Sequence, residues 1–264
     1  MSREWQKAND GEKQFPLPFR VYEGSGTTRS RPLVLYLAGN AFGAAPPRIS
    51  DAPAALAMAE AGALVVEADC GGPSRNMFPG ALEYGFEALK YLFAKRKRFA
   101  NLRSPVLVAG DEAGGNVAAS LALKARDTMP GELAGQVLLS PMLDPRMVTV
   151  SFRRADKIGL LQRWSDGWNH YLAHAGDGQH PYAAPCLCTR LAGAAPALVV
   201  TSDDDPLHDE ALDYARRLQC AGVSVKTRVL SEDLGWTGIY DGKDGEWHSR
   251  FSTEFSQFLD ELPI

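Results

Sequence analysis

Residues 106–123, VLVAGDEAGGNVAASLAL, run from an apolar strand pattern through a glycine-flanked turn into a helix of small residues. At the centre, Gly110-Asp111-Glu112-Ala113-Gly114 has the spacing of a nucleophile elbow, a strand–turn–helix device that presents one side chain at the edge of a sheet. The residue presented here is Glu112. A carboxylate at that point has three uses. It can attack carbon as a nucleophile, and then needs a base to hydrolyse the ester it forms. It can act as a general acid or base, with partial burial raising its pKa into a useful range. It can instead accept hydrogen bonds from backbone N–H groups around the turn, as a built-in anion. The helix N-terminus beyond the turn favours negative charge in each case.

The remaining titratable candidates are Asp203, Asp204 and Asp205, an acidic run just before a helix start where Asp209 and Glu210 suit the dipole, and five histidines. These are His170, His174, His180, His208 and His248. His208 lies one turn after Asp205 and is the imidazole expected nearest to it. His170 and His174 have a metal-like spacing but no evident third ligand, so no metal is expected, and no cofactor. Cys186 and Cys188 are too close for the usual zinc spacing and lack a second pair. With Cys70 and Cys220 they read as free thiols of a reducing, cytoplasmic compartment.

The elements that position these residues alternate. Strand patterns at 32–39, 63–69, 104–110, 135–140, 195–202 and 223–230 are separated by helical patterns at 51–62, 79–95, 114–126 and 207–220, and a helix at 249–261 closes the chain. Such alternation predicts a mostly parallel sheet with helices on both faces, and places working groups on loops beyond the carboxyl ends of the strands. The stretch 144–190 breaks the rhythm and carries Trp164, Trp168, Tyr171 and Tyr182; it reads as a small helical lid inserted in a single domain. A chain of 264 residues, 45% hydrophobic and 23% charged, buries a sizeable core. A net charge of −4 argues against a nucleic-acid partner, and Lys95–Arg98 reads as a solvated helix end. No apolar run has the length of a membrane span, and the N-terminus is too polar for a signal peptide, so no membrane partner is expected either.

The motif AGDEAGGNVAASLAL resembles the Gly-Asp-Ser-Ala-Gly-Gly signature of the hormone-sensitive-lipase-like branch of the α/β-hydrolases, the acetylesterase and carboxylesterase group. PLVLYLAGNAFG is similar to that group's strand and His-Gly-Gly-Gly loop, and EADCGGPSRNMFPGALEYGFEALKYL to its Asp-Tyr-Arg-Leu-Ala-Pro-Glu segment. LLSPMLDP, HPYAAPC and PALVVTSDDDPLHDEALDYARRLQCAGVSV follow in order, so the likeness extends over residues 17–262. It implies an α/β-hydrolase fold. It also implies a triad, in which the elbow serine falls at Glu112, the acid at Asp205 and the histidine at Leu234 in SEDLGW. The oxyanion loop falls at Ala38-Gly39-Asn40-Ala41, where Gly39 alone keeps the group's residue, with Ala113 supplying the elbow amide.

A serine esterase needs a hydroxyl, an imidazole to carry its proton and a carboxylate to hold the imidazole. Leu234 carries no proton, so the expectation is a protein that has lost serine-esterase activity. The first expectation for its role is binding of an apolar small molecule under the lid, in a pocket lined by Phe42, Trp164, Trp168, Leu234 and Trp236. The plant gibberellin receptors resemble such a case. The alternatives are a lyase, isomerase or cyclase using Glu112 as acid or base, and a structural or partner-binding protein, with a homodimer possible, whose old site is filled by side chains.

Overall fold

The computed structural model describes residues 2–6, 18–24, 31–45, 50–69 and 76–263. Five consecutive parallel pairings form the centre of the sheet: β4 (Leu64–Ala68), β3 (Leu33–Leu37), β5 (Val106–Asp111), β6 (Gly135–Pro141), β7 (Ala197–Ser202) and β8 (Val225–Leu230). β3 through β7 are buried along their whole length, as strands covered on both faces must be, and this explains their unbroken Val, Leu and Ile-type runs. β8 is an edge strand, half-buried, with Lys226 and Arg228 blunting its free side.

Two strands lie outside the sequence expectation. β1 (Ser2–Gln6) and β2 (Phe19–Glu23) extend the sheet antiparallel beyond β4, giving the order β1-β2-β4-β3-β5-β6-β7-β8. FRVYE is short and carries charge at two of five positions, so its alternation is too brief to read as a strand without the β4 edge beside it. Its charge is used: Arg20 sits opposite Glu67 in the register, and the buried Tyr22 hydroxyl donates to Glu67 at 2.5 Å.

The helices are α1 (Pro53–Glu60), α2 (Gly80–Ala94), the short α3 (Arg96–Phe99), α4 (Glu112–Thr128), α5 (Leu161–Tyr171), α6 (His208–Cys220) and α7 (Trp247–Glu261). α3 takes up the basic run Arg96–Arg98, with no buried residue. α4 starts two residues earlier than its pattern predicts, directly at Glu112, because the elbow leaves no connecting loop. A Cβ on Gly114 would stand 2.0 Å from the Leu37 carbonyl oxygen, so α4 approaches β3 as only glycine permits. Within 144–190 the one long element is α5, whose buried Trp164, Gly167, Trp168 and Tyr171 fall at i, i+3, i+4 and i+7 and face the turn Ala41–Gly43. No helix among the described residues is long and apolar enough to cross a membrane.

Candidate active site

The elbow is formed. β5 ends at Asp111, and Glu112 turns the chain into α4 with φ of +51°, the left-handed conformation that a bulky residue holds at a cost of ~1–3 kcal/mol. The turn is held open by Asp111, wholly buried, which accepts from the Tyr36 hydroxyl at 2.5 Å and from Gly39 N at 2.9 Å. Glu112 is only 1% exposed. Its Oε2 accepts from Ala41 N at 2.8 Å, and its Oε1 accepts from the Trp164 indole N–H and from Arg163 Nη2 at 3.3 Å. Ala41 and Phe42 also lie at positive φ, 47° and 50°, so the loop is bent to aim Ala41 N at the carboxylate. Asn40 turns its side chain back to accept from Gly43 N, and Ala113 lies buried in the first turn of α4.

Every partner of the Glu112 carboxylate is a donor, and one is a cation. Burial pushes its pKa above the ordinary carboxylate value, while Arg163, the Trp164 N–H and the Ala41 N–H pull it back and Asp111 adds to the rise.

Asp205 is wholly buried as well. The Tyr240 hydroxyl sits 2.6 and 2.7 Å from its two oxygens, Ser140 Oγ donates to Oδ2 at 2.6 Å, and Leu207 N donates to Oδ1 at 2.7 Å. Trp236 Nε1 donates in turn to Ser140 Oγ at 2.8 Å, which fixes that hydroxyl, and Ser140 lies at φ of +39°. Burial raises the Asp205 pKa, opposed by Ser140, Tyr240 and the Leu207 N–H. Burial and the Asp205 charge drive the Tyr240 phenol far above its ordinary value, so it is a standing donor.

No imidazole among the described residues hydrogen-bonds to Glu112 or Asp205. His208 was expected nearest to Asp205, but its ring pairs with Asp209 at 3.0 Å. His248 bridges Glu60 and Asp244, each at 3.0 Å, and His180 stacks beside Phe78. Leu234 is half-buried on a single turn, Glu232–Leu234, and packs against the edge of the core. Among the described residues no group of three His, Cys, Asp or Glu is placed to hold a metal. Cys186, Cys188 and Cys220 are free, and Cys70 lies outside the described residues.

Of the side chains expected to line a pocket, all but the half-buried Leu234 are buried. Trp164 and Trp236 are wholly buried, the first against Tyr240 and Phe152 and the second against Trp247. Phe42 stacks on Tyr171 with centroids 4.0 Å apart and tilts on Trp168 at 4.9 Å. What joins the two halves of the site was not foreseen from the residues: the Trp164 ring meets the Tyr240 ring edge-on at 5.2 Å, and Arg163 reaches both Glu112 and the Tyr240 carbonyl oxygen. Tyr240 sits in GWTGIYDG and Arg163 in a polar helical pattern, and neither has a periodicity or a motif that marks it.

Residues 34–234 match the family profile described as alpha/beta hydrolase fold. The chain belongs to the alpha/beta hydrolase fold family. Carboxylic ester hydrolase LipN of Mycobacterium tuberculosis is 31% identical over 222 residues, covering 81% of this chain and 59% of its own length. Carboxylesterase NlhH of the same organism is 30% identical over 217 residues, covering 80% and 67%. A gibberellin receptor of Arabidopsis thaliana is 28% identical over 213 residues, covering 76% and 61%. The chain thus spans about three fifths to two thirds of the length of these relatives. A solved arylesterase superposes with a TM-score of 0.82 at 23% identity, over 98% of this chain and 85% of that one. Esterase LipW from Mycobacterium marinum superposes with 0.75 at 27%, over 92% and 77%. Within this esterase branch of the hydrolase fold, Glu112 and Leu234 stand at the positions that the sequence resemblance gives to serine and histidine.

Proposed function

We propose that this chain is a non-hydrolytic member of the esterase branch, in which the former reaction centre has become a packed polar link between α4, α5 and the loop after β7. The observation that carries this is the pairing of both carboxylates with donors other than histidine. Glu112 is held by Ala41 N, Trp164 and Arg163, and Asp205 by Tyr240, Ser140 and Leu207 N. A carboxylate that already occupies the Ala41 amide takes that donor away from a tetrahedral intermediate. The acyl-transfer cycle also lacks its proton carrier, since the group on Asp205 is a phenol held far above its ordinary pKa.

Two other roles have less support. An apolar ligand pocket needs free faces on Trp164 and Trp236, which are wholly buried. The Arabidopsis relative is named a receptor, but that name speaks for that protein. Acid–base catalysis by Glu112 needs substrate to reach a group that is 1% exposed and ringed by donors.

The test is hydrolysis of p-nitrophenyl acetate and butyrate by purified protein. The expected rate is that of buffer. A kcat/KM approaching the ~10⁴ M⁻¹ s⁻¹ at the lower end of ordinary enzymes, abolished by Glu112→Gln, overturns the proposal.

A further inference from the structure

Eight large apolar side chains stand exposed among the described residues, and four of them fall within fourteen consecutive positions: Val148 (66%), Val150 (70%), Ile158 (46%) and Leu161 (39%). The same stretch is basic. Arg146, Arg153, Arg154, Lys157 and Arg163 against Asp156 alone give residues 146–163 a formal charge of +4 in a chain whose total is −4. The segment is compact, a series of closed turns from Val150 to Leu160 that runs straight into α5. Its aromatic residue Phe152 and the adjoining Trp164 point inward and anchor it, while the aliphatics and cations are left outside. Not all of the charge is free: Arg146 is held by Asp144, Arg154 by the Asp203 carbonyl oxygen and Arg163 by Glu112. Arg153 and Lys157, both exposed, carry no such partner among the described residues.

We infer that this segment is a docking surface for a bilayer bearing anionic headgroups, with the aliphatic side chains entering the acyl boundary and Arg153 and Lys157 meeting the phosphates. Three features select that occupant. Isolated aliphatics between cations suit a fluid apolar medium that needs no matching shape, together with a negatively charged surface. Protein hot spots instead gather Trp, Tyr and Arg in pockets, and the aromatics here are turned in. A second copy docking face to face would set the unpartnered Arg153 and Lys157 against their own images. The absence of a membrane-spanning run, which argued against a membrane partner, concerns insertion of a helix and not adsorption at a surface. The inference is independent of whether the site hydrolyses esters.

The test is sedimentation of the full chain with vesicles of phosphatidylcholine alone and of phosphatidylcholine with about a third phosphatidylglycerol. The expected result is at least tenfold stronger partition to the anionic vesicles, lost in 0.5 M salt. Val148→Ser with Val150→Ser and Ile158→Ser, and separately Arg153→Glu with Lys157→Glu, each reduce it about tenfold with an unchanged Tm. Failure to bind either vesicle overturns the inference, as does equal binding to both. So does a concentration-dependent dimer in gel filtration that Val148→Ser dissolves, which would make the face an interface between copies.

Discussion

Replacing Tyr240 by Phe removes one oxygen and changes no packed surface, so it isolates the bond that stands where an imidazole would have been. The phenol donates to a wholly buried carboxylate, 2.6 and 2.7 Å from its two oxygens. Hydrogen bonds to a charged partner contribute ~1.5–3 kcal/mol, and Ser140 Oγ and Leu207 N remain to hold Asp205, so a loss of about 2 kcal/mol is expected. For a domain of this size that corresponds to a drop in Tm of roughly 4–8 °C. The pH dependence supplies a second readout. The phenol favours the ionised form of Asp205, whose pKa burial already raises. Its deficit is therefore full above the folded-state pKa and shrinks as pH falls through it. Differential scanning calorimetry of wild type and Tyr240→Phe at pH 8 and pH 4.5 measures both, with the larger gap at pH 8. An unchanged or higher Tm at pH 8 refutes the reasoning: a group whose removal stabilises the fold is one kept for function at the expense of stability, and Tyr240 would then be a working phenol.

Three further outcomes follow from the same contacts. Glu112, Asp205 and Glu210 are all pushed above the ordinary carboxylate range, burial being the largest cause, so their contribution to stability is complete below that range and is lost as pH rises through the raised values. Asp127, held below its usual value by Arg126, acts oppositely and only below about pH 4, so the urea midpoint is expected to be higher near pH 5 than at pH 8. Gly167→Ala places a Cβ 2.3 Å from the Ala41 carbonyl oxygen, which forces α5 off the loop; a loss of about 2 kcal/mol in denaturant unfolding and a change in Trp164 fluorescence are expected. The double change Glu112→Ser with Leu234→His restores the missing residue types but leaves Tyr240 on Asp205, so it stays inactive on p-nitrophenyl acetate, and detectable hydrolysis returns only when Tyr240→Ala is added.

The sheet's parallel core was legible because strands buried on both faces must be unbroken apolar runs, and VLVAGD, LVVEA and ALVVTS have no other reading between glycine and proline punctuation. β1 and β2 were not, since an antiparallel edge of five residues is defined by the strand it pairs with and hardly by its own pattern. The same division holds in the site. Glu112 could be placed by the spacing of its motif, and Asp205 and Leu234 by the resemblance to the esterase group. Tyr240 and Ser140 approach Asp205 from 35 and 65 residues away and Arg163 approaches Glu112 from 51, and no local pattern announces a residue whose role is to satisfy a distant buried carboxylate; Trp236 was legible as a site residue but not as the donor to Ser140. Trp164 and Trp168 were legible as one helical face, but their partners were not, because those are set by what stands opposite.

The two carboxylates explain each other's retention. An elbow is a strained turn with an unpaired amide nearby, and losing its serine leaves that amide buried with nothing to bond. A glutamate reaches it where an alanine would not, and its charge is compatible with the α4 N-terminus and with Arg163. On the proposed function Asp205 poses the converse problem, a buried carboxylate without an imidazole, and removing one partner of such a pair is among the costliest changes a core can suffer. Tyr240 meets that cost with a neutral donor that also packs edge-on against Trp164, the residue that holds Glu112. On the proposed function each of these side chains fills a demand that another sets, and changing one position alone exposes an unsatisfied buried group. This coupling has a measurable consequence: Glu112→Ala and Tyr240→Phe, joined through Trp164, are expected to be non-additive by ~0.5–3 kcal/mol in a double-mutant cycle. Additivity within ~0.3 kcal/mol would mean that the two halves of the site are independent relics, each satisfied on its own.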